Sequence, residues 1–256
     1  MELKGISFTH KHATTPILRD ISFRAERGEL LTVLGPNGSG KTTLFKCIAG
    51  LWKPGGGNIL FRGADLTTLS HEQRSRLIAV VPQEHEPPFP YSVSEVVLMG
   101  RVSHVGMFST PAGKDYEKAA EAMAIVGISD IAQRPYTKIS GGERQLALIA
   151  RALSQETPVL LLDEPTSHLD FRNQALVLKK VREIALERSL IVLMTLHDPN
   201  LTALFSDKVV MVNNGALFCK GASHQVITGD NLKKVYGIDV SVLDWNGTRI
   251  VTPRIE

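Results

Sequence analysis

Residues 35–42 read Gly35-Pro36-Asn37-Gly38-Ser39-Gly40-Lys41-Thr42, the pattern GxxxxGK closed by a hydroxyl side chain. The apolar run 30–34 before it predicts a buried strand. Leu44, Phe45, Ile48 and Leu51 after it are spaced as one face of a helix. Strand, glycine-rich loop and helix in that order build an anion site. The glycines let backbone N–H groups converge on phosphate oxygens, and the helix N-terminus adds a favourable field. Lys41 supplies a point charge for the β- and γ-phosphates of a nucleotide. Thr42 offers a hydroxyl to Mg²⁺, and Thr43 completes the phosphate-contacting set.

Working outward, Val159-Leu160-Leu161-Leu162 is followed by Asp163 and Glu164. Acids at the carboxyl end of a central strand lie where α/β sheets bind ligands. Asp163 is placed to hold Mg²⁺ through its water shell, and Glu164 to polarise an attacking water as general base.

Short apolar runs alternate with longer amphipathic stretches, the pattern of a largely parallel sheet covered by helices. Strands are expected at 3–8, 17–23, 30–34, 58–61, 77–81, 158–162, 190–194, 208–212 and 216–220. Asn213-Asn214-Gly215 is read as a hairpin turn. Helices are expected to start near Lys41, Ser92, Lys114, Gly141, Phe171 and Pro199. The stretch 84–156 opens with Pro87-Pro88-Phe89-Pro90 and holds no convincing strand, so it is read as a helical subdomain inserted into a sheet domain made of 1–83 and 157–222. Residues 223–256 form a tail of helix and strand.

The bulk numbers narrow the partners. In 256 residues, 29 Lys and Arg against 26 Asp and Glu leave a formal charge of +3, which gives no case for nucleic acid. Cys47 and Cys219 lie far apart and are read as small core residues. No apolar run approaches the roughly 20 residues that span a bilayer, so a membrane role needs another polypeptide.

A further stretch, Ile139-Ser140-Gly141-Gly142-Glu143, is a second anion site by its chemistry: a hydroxyl and two glycines at a helix start. Together with the phosphate loop and the acidic strand, it resembles the signature of ABC ATPases. The resemblance runs from about Leu3 to Val242, with Ile139 and Glu143 departing from the usual leucine and glutamine. It implies an α/β P-loop NTPase (RecA-like) core with antiparallel β elements and an inserted helical subdomain, ATP and Mg²⁺ as ligands, and ATP hydrolysis. It implies that Gln83 contacts Mg²⁺ and the attacking water, that Asp170 in Ser167-His168-Leu169-Asp170 crosses a dimer interface, and that His197 contacts the γ-phosphate. It also implies a head-to-tail pair of this chain, with each ATP between one copy's phosphate loop and the other's Ser140–Glu143. The family's adenine-stacking aromatic aligns with His10, which either stacks on the base or is a solvated loop residue.

Three uses of such a motor remain. A DNA- or ribosome-acting ATPase is disfavoured: no heptad run separates phosphate loop and signature, and there is one cassette. An exporter motor is the second possibility. Import is favoured, because 96–104 and the tail around 235–240 resemble ATPases of iron-siderophore, haem and cobalamin importers. Met107–Tyr116 resembles the molybdate and tungstate branch. The implied partners are two permease subunits, docked by a helix in a groove lined by part of 91–108, and indirectly a substrate-binding protein. The implied place is the cytoplasmic face of the membrane. His10-Lys11-His12 and Glu84-His85-Glu86 lack further ligands and are read as loop residues. Met99, Met107 and Met123 are read as core or interface filler.

Overall fold

The computed structural model describes residues 1–11, 13–83, 89–105 and 109–254. His12, Glu84-His85-Glu86, Pro87-Pro88 and Met107 therefore lie outside the described residues.

The strands are β1 (Glu2–Phe8), β2 (Leu18–Arg24), β3 (Leu30–Leu34), β4 (Gly56–Phe61), β5 (Ala64–Asp65), β6 (Ile78–Val81), β7 (Val159–Leu162), β8 (Ile191–Leu196), β9 (Lys208–Asn213), β10 (Ala216–Ala222), β11 (Val240–Trp245) and β12 (Thr248–Pro253). The helices are α1 (Lys41–Ala49), α2 (His71–Ser75), α3 (Val93–Leu98), α4 (Gly113–Val126), α5 (Gly141–Ser154), α6 (Phe171–Glu187), α7 (Pro199–Phe205), α8 (Ser223–Val226) and α9 (Gly229–Tyr236).

Among the described residues ten strands form one sheet in the order β5-β4-β1-β2-β10-β9-β3-β8-β7-β6. The half from β9 to β6 is parallel. Its strands β3, β7 and β8 are buried along their whole length, as strands covered on both faces must be. The other half is built from antiparallel pairs, joined to β10 by a parallel bridge, Ala216 to Arg19. The sheet is thus parallel only in part: the alternating runs announce the buried strands, but antiparallel pairs with one wetter face carry a weaker pattern. The two-residue β5 and the five-residue α2 are too short for a period to show.

Asn214 and Gly215 have φ of 46° and 75°. Both lie in the left-handed region that a two-residue hairpin turn needs, and Ala216 pairs with Asn213 across it. Helix α1 stops at Gly50, φ 78°, so Leu51 falls beyond its apolar face and is exposed rather than packed. Cys47 is fully buried, whereas Cys219 is only half-buried on β10. Met123 joins the core, and Met99 lines a surface groove.

Three apolar clusters hold the layers. One packs β1, β2, β3 and β4 on Leu44, Phe45, Cys47 and Ile48 of α1. A second joins α3, α4, α5 and α6 to the sheet's other face. The third sets Leu232, Val235 and Val251 of the tail on Leu34, Val209 and Met211.

Candidate functional site

Four adjacent parallel strands, β3, β8, β7 and β6, end on one edge of the sheet. The loop 35–40 follows β3, His197 follows β8, Asp163 and Glu164 follow β7, and Gln83 lies two residues past β6. That edge, at the carboxyl ends of parallel strands, is where α/β sheets place ligands.

The loop is held open by short contacts. A Cβ on Gly35 would lie 2.2 Å from the Val212 carbonyl oxygen, and Gly40 caps α1 at φ 102°. The Lys41 ammonium donates to the carbonyls of Gly35 and Pro36 at 2.8 and 3.0 Å, folding its charge back into the loop. Burial lowers the Lys41 pKa, opposed by the charges of Glu164 and Asp163. The Gly215 amide donates to the Ser39 carbonyl at 3.1 Å, so the β9–β10 turn braces the loop. The Ser39 hydroxyl is buried without a hydrogen-bond partner.

The two acids differ in surroundings. Burial raises the Asp163 pKa, and the neighbouring Glu164 charge adds to the rise. Hydrogen bonds from Thr195 and Thr42 and the Lys41 charge act against it. Glu164 sits at φ 47°. Its Oε2 accepts from Gln83 Nε2 at 3.2 Å and from the Ser167 hydroxyl at 3.1 Å, and lies 3.8 Å from His197 Nδ1. Gln83, Glu164 and His197 are thereby one constellation around a single carboxylate oxygen. Asp163, Thr42 and Lys41 form the adjoining one.

Ser140–Glu143 lie elsewhere, at the start of α5. The Ser140 amide donates to Glu143 Oε2 at 2.7 Å, and the Glu143 amide to Ser140 Oγ at 3.3 Å, a capping box that leaves the helix start exposed. The Ser140 hydrogen bonds lower the Glu143 pKa. A Cβ on Gly142 would lie 2.6 Å from Asn173 Oδ1. Asn173 in turn donates its amide to Asp170 Oδ1 at 2.8 Å and its side chain to Asp170 Oδ2 at 3.1 Å. Asn173, hydrogen-bonded to the α6 N-cap Asp170, thus packs closely against Gly142 of α5.

His10 is exposed, its ring edge-on to Phe8 at 5.1 Å and to Trp52 at 4.9 Å. Trp52 is stacked on Phe8 at 5.2 Å, with Lys46 Nζ 4.5 Å from its ring centroid.

Sequence reasoning did not assign Thr195, Ser167, Gly215, Asn173 or Trp52 to the site. Thr195, two residues before His197, and Ser167, three residues after Glu164 and the first residue of the Ser167–Asp170 stretch, were the findable ones. Gly215, Asn173 and Trp52 reach the site only through tertiary contacts. Among the described residues no cluster of three or more His, Cys, Asp or Glu could hold a metal ion by itself. Nor is any helix long and apolar enough to cross a membrane.

Comparison with known proteins fits this edge-of-sheet arrangement. The ABC transporter family model matches residues 18–167. A Helicobacter pylori protein described as an iron chelatin transport ATP-binding protein is 37% identical over 252 residues, 98% of each chain. The molybdate import ATP-binding protein MolC of Haemophilus influenzae is 36% identical over 236 residues, 92% of this chain and 87% of that one. A solved structure described as a metal-chelate type ABC transporter in an inward-facing conformation superposes with a TM-score of 0.86 at 30% identity, covering 100% of this chain and 97% of that one. The chain belongs to the ABC transporter family, whose ATP-binding cassettes are the ATPases that power transport.

Proposed function

We propose that this chain is the ATP-hydrolysing motor of a membrane importer of metal chelates: iron-siderophore, haem or cobalamin. The observation that carries the reading is the end-to-end likeness, 98% of both chains, to the iron chelatin transport ATP-binding protein. Molybdate or tungstate import is the second reading, favoured by the likeness to MolC.

In this reading the backbone N–H groups of the Gly35–Gly40 loop, from Asn37, Gly38, Ser39 and Gly40, cradle the phosphates, while Pro36, which has no N–H, shapes the loop after Gly35. Lys41 turns from the loop carbonyls to the β- and γ-oxygens, with Thr42 and Thr43 beside it. The Thr42 hydroxyl, the Asp163 carboxylate and the Gln83 amide are hard oxygen donors that suit Mg²⁺, and Asp163, desolvated by burial, gains from a cation. Mg²⁺, when bound, neutralises charge on the β- and γ-oxygens. Glu164 accepts a proton from the attacking water. Gln83, Ser167 and His197, gathered on its Oε2, aim it. His10 offers a ring to adenine, with Phe8 and Trp52 behind it.

Ser140, Gly141, Gly142 and Glu143 face an ATP held by a second copy of the chain, and Asp170, hydrogen-bonded to the Asn173 that packs against Gly142, lies on the same interface. What supports this pairing is that the α5 start is exposed and remote in chain order from the loop it would complete. The division into 1–83 with 157–222, 84–156 and 223–256 belongs to the same reading: core, signature subdomain and tail. Two permease subunits hold the motor at the cytoplasmic face, fed by a substrate-binding protein. The groove beside α3, ≈ 820 Å³, is lined by Glu95, Leu98, Met99, Val102, His104 and Val105 and suits an amphipathic permease helix. ATP, contacting only the closed pair fully, drives closure.

The experiment is reconstitution of motor, permease and binding protein in liposomes. ATP-dependent uptake of a ferric siderophore, haem or cobalamin is the expected result. Uptake of molybdate alone selects the second reading, and uptake of a sugar or amino acid alone overturns both.

A further inference from the structure

Arg74, on α2, is 7% exposed and makes no ion pair among the described residues. Its Nη2 donates to the Leu66 carbonyl, and its buried Nε has no hydrogen-bond partner. Asp65 reaches it only through its field, being hydrogen-bonded itself to Asn58 and Thr67. The guanidinium lies against the end of α1, and a Cβ on Gly50 would fall 1.8 Å from its Nη1. The helix C-terminus offsets part of the charge. A buried cation with an unused donor and no full counter-charge is still strongly unfavourable, and such groups are normally paired.

Arg74 lines a cavity of ≈ 160 Å³ together with Trp52, Lys53 and His71. That is room for about five water molecules at their liquid volume, ample for a tetrahedral oxyanion. Lys46, over the Trp52 ring, adds positive field. We propose that this cavity binds an oxyanion of the phosphate class, with Arg74 as the buried anchor and Lys53 and His71 at the rim. A phosphate in the cavity supplies the counter-charge that Arg74 lacks, accepting from the part of the guanidinium that lines it, while Nε, closed off from solvent, stays out of its reach. The site is separate from the nucleotide loop: it lies at the C-terminal end of α1, about 12 Å along the helix from Lys41. The same chemistry is offered by free phosphate and by an anionic lipid headgroup.

Trp52 lines the cavity and Trp245 is the second of the two tryptophans. In a Trp245→Phe background, emission therefore reports Trp52 alone. Inorganic phosphate is titrated at constant ionic strength, with chloride as control. In parallel, vesicles of phosphatidylglycerol are compared with vesicles of phosphatidylcholine. The expected result is a saturable change with phosphate or with phosphatidylglycerol, the responding arm naming the source. Arg74→Met abolishes it, and Lys53→Glu on the exposed rim weakens it about tenfold, the worth of one charged hydrogen bond. Lys41→Ala leaves it intact. Circular dichroism checks the fold of Arg74→Met, and Lys53→Glu carries the test should that variant not fold. No saturable response, or one lost in Lys41→Ala but kept in Lys53→Glu, overturns the proposal.

Discussion

The Thr195 hydroxyl donates to Asp163 Oδ1 at 2.7 Å, and through the same oxygen it accepts the Glu164 amide at 2.8 Å. One fully buried side chain on β8 thereby orients both acids at the end of β7. Thr195→Val keeps the shape and leaves two polar groups short of a partner. A loss of about 2 kcal/mol is expected, roughly 4–8 °C in Tm, with slower ATP turnover. Scanning calorimetry with an ATPase assay checks it. An unchanged Tm counts against the bridge.

Asp163 is held above the usual carboxylate range by burial. The folded state therefore binds its proton more tightly than the unfolded chain. The sign follows: this group costs no stability below the unfolded value of 3.8. The penalty grows as pH rises from there through the raised folded pKa, and is full above it. Asp163→Asn should raise the Tm of the nucleotide-free protein at pH 7 while abolishing Mg²⁺-dependent hydrolysis. The Tm gain should shrink as pH falls toward the unfolded value. A gain independent of pH would assign the effect to another cause.

Glu164→Gln removes the proton acceptor yet leaves an amide of the same size among Gln83, Ser167 and His197. The variant should bind ATP, turn over at least about a hundredfold more slowly, and accumulate as a dimer with Mg-ATP. Size-exclusion chromatography and phosphate release measure the two effects. Wild-type turnover would remove Glu164 from its role.

Ser140→Arg fills the exposed start of α5. The lost cap should cost about 1 kcal/mol of stability, a small fall in Tm. Nucleotide binding to the monomer should persist while hydrolysis disappears, because the partner's phosphates can no longer enter. Normal hydrolysis by this variant would exclude the head-to-tail pair.

His10→Ala should weaken ATP binding by about tenfold or less, the worth of one aromatic stack at roughly 0.5–1.5 kcal/mol. His10→Tyr should restore it, since Phe8 and Trp52 offer the new ring the same wall. Equal dissociation constants for all three proteins, by calorimetry, would make His10 a loop residue only.

The sequence by itself determined the buried parallel strands, the phosphate loop and the places of Gln83, Asp163, Glu164 and His197. The strands, the phosphate loop and the two acids are local patterns, an apolar run of one strand's length followed by loop residues suited to phosphate or Mg²⁺, whereas Gln83 and His197 follow from the resemblance to ABC ATPases. It also determined the helix starts at Lys41, Gly141, Phe171 and Pro199, because capping chemistry and apolar spacing are read within a few residues. Only the tertiary structure decided what depends on strands distant in the chain. Gly215 braces Ser39 because β9 pairs with β3, and Thr195 bridges two acids because β8 lies beside β7. Asn173, hydrogen-bonded to Asp170, meets Gly142 because α6 packs on α5. Trp52 meets His10 because α1 ends near the β1–β2 turn, and Arg74 was left without a paired counter-charge by the packing of α2 on the end of α1. Apart from Thr195, two residues before His197, none of these carries a sequence signal, since a side chain's partner across a sheet is set by strand order and register, which no local pattern encodes.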